Sequence, residues 1–249
     1  MMKKTNSMIS IFVALLIFVA LLFSIALNSF DKGLFTCNRY IMNTYLYVIL
    51  TFNIIALLWL ILEHNGVRIN FTIWQYLALF LITLGFIWLV LTVNPKNVIP
   101  KHILWLIFVL GIGLLVYPLY NSFTDKNVVL SAALTTILLT LVLSAIAFIK
   151  PEWISLSMGP ILFFLLLAII IMEITLLIVY RKNYAKLRGV FRATSYFVIF
   201  LFIGFILYDT KMLQIRAKQC VNADYLNESL KLLFLDVFNI FVRVLGLSR

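Results

Sequence analysis

Long apolar runs alternate with short polar connectors along the whole chain. Eight apolar segments stand out, at residues 8–29, 41–62, 71–93, 102–120, 127–149, 157–180, 190–208 and 230–246. A helix needs about 20 apolar residues to cross the hydrocarbon of a bilayer, and the first seven segments meet that length. Only helices and closed barrels satisfy every backbone group in lipid, and runs this long and continuous predict helices. The eighth differs. Lys231 and Arg243 bracket it, and Asp236 and Asn239 lie inside it. It either spans by tilting or enters part way and sits inside the bundle.

The connectors are brief. Asn94-Pro95-Lys96 with Pro100-Lys101 predicts one proline-broken turn, and Lys150-Pro151-Glu152 another. Residues 181–192 carry five basic side chains, and 210–229 form the longest polar stretch, too short for a domain. No soluble domain, repeat or low-complexity tract interrupts the pattern. At the N-terminus two lysines precede an apolar run of about 20 residues, longer than the usual signal-peptide core. The preferred reading is an uncleaved extra helix, with a cleaved signal peptide as the alternative.

Composition agrees with this pattern. The chain is 64% hydrophobic and 12% charged, with mean hydropathy +1.12, whereas soluble domains are nearer half apolar and a quarter charged. The expected solvent is lipid. The net charge of +11 is scattered through connectors and forms no basic domain, so it points to lipid headgroups as partners and not to nucleic acid. It does not orient the chain. With eight crossings, one side holds Lys3, Lys4, Arg68, Lys126, the five basic residues of 181–192, Arg243 and Arg249. The other holds Lys32, Arg39, Lys96, Lys101, Lys150, Lys211, Arg216, Lys218 and Lys231. Cys37 and Cys220 make neither a disulfide framework nor a metal-ligand spacing, and are expected to be structural or free thiols.

Of the nine acidic residues, Asp31, Glu63, Asp125, Glu152, Asp224 and Glu228 fall in connectors, where solvation is the default. Glu173, Asp209 and Asp236 fall in or at the ends of apolar segments. A charge at bilayer depth costs about 2.5–3.5 kcal/mol on insertion scales and so faces a partner or a water-filled cavity. Glu173 reads either as a carboxyl bonded to a neighbouring helix or as part of an ion path. Asp209 and Asp236 read either as a pair sharing one proton, since close like charges do not both ionise cheaply, or as an interfacial helix end and a point on an amphipathic surface. Asn239 and Arg243 share a helical face with Asp236. Arg243 is either an ion-pair partner or a side chain snorkelling to headgroups.

No enzyme is spelled out. An intramembrane aspartyl protease needs Gly-x-Gly-Asp and Pro-Ala-Leu, and the chain has neither; Gly-x-Ser-x-Gly is also absent, and His64 and His102 lie apart. Calcium cages take six to eight oxygens, so Asp209 and Asp236 suit only weak, transient calcium contact. No cofactor is expected.

The residues Gly204-Phe205-Ile206-Leu207-Tyr208-Asp209-Thr210, then Asp224-Tyr225, then Leu233-Phe234-Leu235-Asp236-Val237-Phe238-Asn239-Ile240-Phe241 resemble the transmembrane Bax inhibitor motif family, which includes Golgi anti-apoptotic and lifeguard proteins. Phe234 stands where the family usually has Tyr, and Arg188 and Arg192 lie where some members carry a carboxylate. The resemblance covers 39–249, leaving 1–38 as an extra transmembrane helix or signal anchor with its connector. It implies an all-α, multi-span membrane helix bundle: a seven-helix core around a short central C-terminal helix, plus the extra N-terminal apolar helix. It also implies a pH-sensitive calcium leak in an endoplasmic reticulum or Golgi membrane, with the plasma membrane as the alternative, restraint of apoptosis, and Asp209 and Asp236 as the gate. Asn239, Glu173 and Arg243 are candidate supports, and Lys96 and Lys101 candidate latches. Family topology would place 94–101, 150–156 and 210–229 in the cytosol, with the five-positive loop on the lumenal side against the charge rule. The alternative is a non-conducting membrane protein that binds cell-death regulatory membrane proteins.

Overall fold

The computed structural model describes residues 2–180 and 184–248. The expected apolar segments become helices α1 (Met2–Asn28), α2 (Tyr40–His64), α3 (Ile73–Thr92), α4 (Val98–Asn121), α5 (Lys126–Ile149), α6 (Met158–Tyr180) and α7 (Tyr184–Lys218). All seven are long and apolar enough to cross a membrane. Their exposed positions are apolar, as at Phe12, Ile82, Ile171 and Phe200, which is the surface expected where the solvent is hydrocarbon. The architecture is the all-α, multi-span membrane bundle expected from the sequence.

Local chemistry sets several helix ends. Thr72 and Gln75 close a reciprocal capping box at the start of α3, with the Thr72 amide donating to Gln75 Oε1 at 2.9 Å and the Gln75 amide to Thr72 Oγ1 at 3.4 Å; each side chain satisfies a backbone donor the helix leaves open. Asp125 Oδ1 accepts from the Asn127 amide at 2.9 Å ahead of α5.

Three features depart from the sequence reading. The first connector is not plain loop: Phe30–Asp31 (β1) pairs antiparallel with Leu34–Phe35 (β2). Lys32 and Gly33 turn the ribbon, both at positive φ (49° and 80°), the geometry of a two-residue hairpin turn in which glycine carries no steric cost. Second, α7 is far longer than 190–208. It begins at Tyr184 and runs on to Lys218, so Arg188 and Arg192 ride on the helix, and Asp209 sits well inside it. Of the expected five-positive connector, Arg181 and Lys182 lie outside the described residues. Third, the eighth segment is part of a longer helical course: α8 (Tyr225–Ser229), a π-helical turn at Leu230–Phe234, then α9 (Leu235–Leu247). With 13 residues, α9 rises about 20 Å, short of the roughly 30 Å of hydrocarbon.

The chain divides into two compact units. In the first, α1 packs on α2, α2 and α3 pack on α4, and α8 packs against α2, α3 and α4. In the second, α5 packs on α9 and α6 lies against α7, where Gly204 faces Leu162 and Gly159 faces Tyr208. The α5 face buries Ala132, Thr136, Thr140, Ser144 and Ala147, small residues at helical spacing that let helix backbones approach closely. The hydroxyls of Thr136 and Thr140 donate to carbonyls one turn back, at 2.8 Å each, so the face buries no orphaned donor.

Candidate functional site: a buried carboxyl pair and two ion pairs

The second unit brings the two aspartates together. Asp209 and Asp236 are 7% and 5% exposed, and Thr210 beside Asp209 is fully buried. The Asp236 carboxyl is hydrogen-bonded to Asp209. Two carboxyls this close do not both ionise cheaply away from water. Oδ2 of Asp236 is buried with no hydrogen-bond partner. The surface reading of both residues is therefore replaced by a buried one.

Two structural devices aim the carboxyls. Asp209 lies on a helix that continues past it to Lys218, which fixes its backbone. Asp236 follows the π-helical turn directly. One inserted residue in a helix rotates everything downstream by about 100°, so this turn sets which face of α9 carries Asp236. Nearby polar side chains of α7 are tied down too. Lys211 Nζ donates to the Ile154 carbonyl, Gln214 Nε2 to the Ala147 carbonyl at 2.9 Å, and the Thr210 and Ser144 hydroxyls lie 3.5 Å apart.

Arg243 does not snorkel. Its Nη1 donates to Glu173 Oε1 at 2.6 Å and its Nη2 to Oε2 at 2.7 Å, a forked pair that clamps α9 to α6. Thr194 on α7 also donates to Glu173 Oε1, at 3.4 Å. Glu173 is thus a partner in a side-chain cluster that joins α6, α7 and α9. Asn239 turns inward on its own helix, its Nδ2 donating to the Leu235 carbonyl at 2.7 Å.

The candidate latch residues separate. Lys96 is exposed. Lys101 is fully buried in the first unit, where Nζ donates to Asp224 Oδ2 at 2.6 Å and to the Val93 carbonyl at 2.7 Å. Asp224 Oδ1 accepts from the Asn227 amide at 3.2 Å at the start of α8, so one carboxylate caps the helix and neutralises the lysine. Beside it, Tyr225 is buried, donates to the Thr36 carbonyl and accepts from Asn43 Nδ2 at 3.2 Å. Burial pushes its phenol above the ordinary range, and it stays a neutral donor.

Asp224, Glu228 and Glu63 are not the solvated connector residues expected from their positions in the sequence. Instead Asp224 pairs with Lys101, Glu228 is 7% exposed, and Glu63 Oε2 accepts from the Tyr120 hydroxyl at 2.5 Å. The available signal was Asp224-Tyr225, already part of the motif resemblance. Cys37 and Cys220, expected to be structural or free thiols, are joined as a disulfide. Nothing in a separation of 183 residues announces it.

Among the described residues no three His, Cys, Asp or Glu side chains converge as a metal group. Two carboxyls supply too few oxygens for a tight calcium cage and fit a passing cation at most.

No curated protein and no solved structure matches the chain. Residues 37–248 match the family described as inhibitor of apoptosis-promoting Bax1, a span that contains both aspartates, the Lys101–Asp224 and Arg243–Glu173 pairs and both cysteines, and that leaves residues 1–36 and 249 outside. The chain belongs to this Bax inhibitor family of anti-apoptotic membrane proteins and is an integral, multi-pass membrane protein.

Proposed function

We propose that this protein is a pH-sensitive calcium leak channel of an endoplasmic reticulum or Golgi membrane, acting without catalysis to restrain cell death, with Asp209 and Asp236 as its gate. The observation that carries the reading is the buried, hydrogen-bonded carboxyl pair. With one proton shared, the pair holds α7 to α9. When that proton leaves, two like charges face each other away from water, where their repulsion is far stronger than in solvent. The contact then loosens, and the uncovered negative charge draws a cation. Calcium crosses as cargo, touching the carboxylates briefly and keeping most of its water.

The other pairs have supporting parts in this scheme. Arg243 and Glu173 brace α9 against α6 while the carboxyl contact opens. Lys101 serves as a latch by holding Asp224, at the head of the helical course that leads to Asp236. Asn239, bonded to its own backbone, stiffens α9.

The test is calcium efflux from vesicles reconstituted with purified protein, measured across pH. Asp236→Asn keeps shape and hydrogen bonding but removes the shared proton. Lower efflux with a flattened pH response is expected. Efflux and pH response identical to the unmodified protein would exclude the gate.

A second reading is a non-conducting protein that restrains death signalling by binding other membrane proteins. The family description itself favours it, because it names an inhibitory action and no conductance. Under that reading the Asp236→Asn protein still protects cells while flux stays at background for every variant.

A further inference from the structure

We infer that the membrane face carrying Cys37 and Cys220 opens to an oxidising compartment, the reverse of the orientation expected from family topology, and that the disulfide is a permanent staple of this chain. Cys37 lies in the connector between α1 and α2, and Cys220 in the one between α7 and α8. A disulfide forces both connectors to one side of the membrane. Six candidate spans, α2 to α7, separate the two cysteines, and an even number of crossings returns a chain to the side it left. The bond and the span count agree independently.

Other contacts mark the same end of the first unit. Lys101 at the head of α4 reaches Asp224, the Tyr225 hydroxyl reaches the Thr36 carbonyl, and Asn227 Nδ2 donates to the Leu91 carbonyl at 3.2 Å near the end of α3. The staple is part of a fastened surface and not a chance meeting of two mobile loops.

Disulfides persist where the medium is oxidising and are rare in the cytosol, where the thiol pool keeps cysteines reduced. Forming this one takes two electrons and two protons from the Cys37 and Cys220 thiols. A disulfide-carrying oxidoreductase of the lumen or exterior accepts them and is itself reduced to a dithiol. The two arginines on the first turns of α7 agree with this orientation. With the cysteine face outside the cytosol, Arg188 and Arg192 near the start of α7 fall at the cytosolic end, as the positive-inside rule asks. The opposite orientation places them against the rule. The sequon Asn227-Glu228-Ser229 shares the cysteine face, but Asn227 is engaged with Leu91 and Ser229 is fully buried, so it is not an open glycan acceptor.

The test needs no conductance and therefore succeeds or fails separately from the channel reading. Native membranes are quenched in acid, and free thiols are tagged with a heavy maleimide before and after reduction. Both cysteines should be untagged until dithiothreitol is added. In parallel, Lys96→Cys reports the cysteine face and Arg68→Cys the other; both positions are exposed connector residues, and Lys150→Cys provides a second reporter beside Lys96→Cys. In sealed vesicles with the cytosolic side outward, a membrane-impermeant maleimide should label Arg68→Cys at once, and Lys96→Cys and Lys150→Cys only after detergent. Free native thiols, or labelling of Lys96→Cys from the cytosolic side, would overturn the inference.

Discussion

Arg243 grips both carboxylate oxygens of Glu173, at 2.6 and 2.7 Å, linking the short C-terminal helix to α6. The side chains keep 22% and 16% of their surface, so the pair is mostly removed from solvent. A forked guanidinium–carboxylate contact is both stronger and more directional than a single ionic hydrogen bond. It fixes the rotation of α9 about its own axis, and Asp236 lies on that helix.

Removing one member leaves the other half-buried and unpaired. Glu173→Gln and Arg243→Met should each lower stability by about 1–3 kcal/mol, read as an earlier thermal transition in detergent. The exchange Glu173→Arg with Arg243→Glu should recover part of that loss. A swap no better than the worse single variant would show that the pair is not the source of the stabilisation.

Lys101 and Asp224 present a sharper case, because the lysine is fully buried. Asp224→Asn strands an ammonium in a low dielectric and should cost about 3–5 kcal/mol. Replacing both by apolar residues, Lys101→Met with Asp224→Leu, should restore much of it, since buried pairs are often matched by hydrophobic packing. Thermal melts of the three proteins decide this. If the double variant is the least stable, Asp224 is needed mainly as the cap of α8.

A steric prediction concerns Gly159. A Cβ there would meet the Tyr208 ring and hydroxyl at 2.6 Å, closer than real contacts allow. Tyr208 immediately precedes Asp209. Gly159→Ala should destabilise by about 1–3 kcal/mol through overpacking, and Tyr208→Ala in the same chain should relieve most of that clash. Tyr208→Phe should not, because the ring carbon Cζ remains in the way. Equal melting of Gly159→Ala and the unmodified protein would mean that α6 and α7 part there at no cost.

For the gate itself, the sign of the pH effect follows from the shared proton. On the proposed gating, the pair is protonated and closed at low pH. As pH rises the proton leaves, repulsion opens the contact, and efflux should increase. Asp209→Asn and Asp236→Asn should flatten this response alike, because a neutral amide can hydrogen-bond the remaining carboxyl without needing the proton. A flat profile in only one of the two would show that the residues titrate separately. Lys211, the side-chain charge closest along α7, is bonded to the Ile154 carbonyl, and Lys211→Met serves as the control for a general electrostatic effect.

Much of the fold was legible because lipid imposes a simple rule. Runs of about 20 apolar residues must be helical to satisfy their backbone, and seven such runs became seven helices. The limits of α7 were not legible. Its final turns carry Lys211, Arg216 and Lys218, which look like a connector in a hydropathy reading but are simply a helix extending beyond its apolar portion. The π-helical turn before α9 was invisible for a related reason: it depends on packing at Leu230, Leu232 and Leu233, all buried, and has no composition of its own.

The site divides in the same way. Residue type and spacing singled out Asp209, Asp236, Glu173 and Arg243, since a charge in an apolar run is costly and therefore informative. Which charge meets which is a long-range matter. Arg243 pairs with Glu173, and Lys101 with Asp224; a separation of about 70 or 120 positions contains no record of either meeting. By itself the sequence determined the solvent, the helices, the family and the two aspartates, because each follows from local composition or a short motif. Only the tertiary structure decided the burial of the two aspartates against each other, the two ion pairs and the Cys37–Cys220 bond, because each needs side chains from distant helices to occupy one small volume.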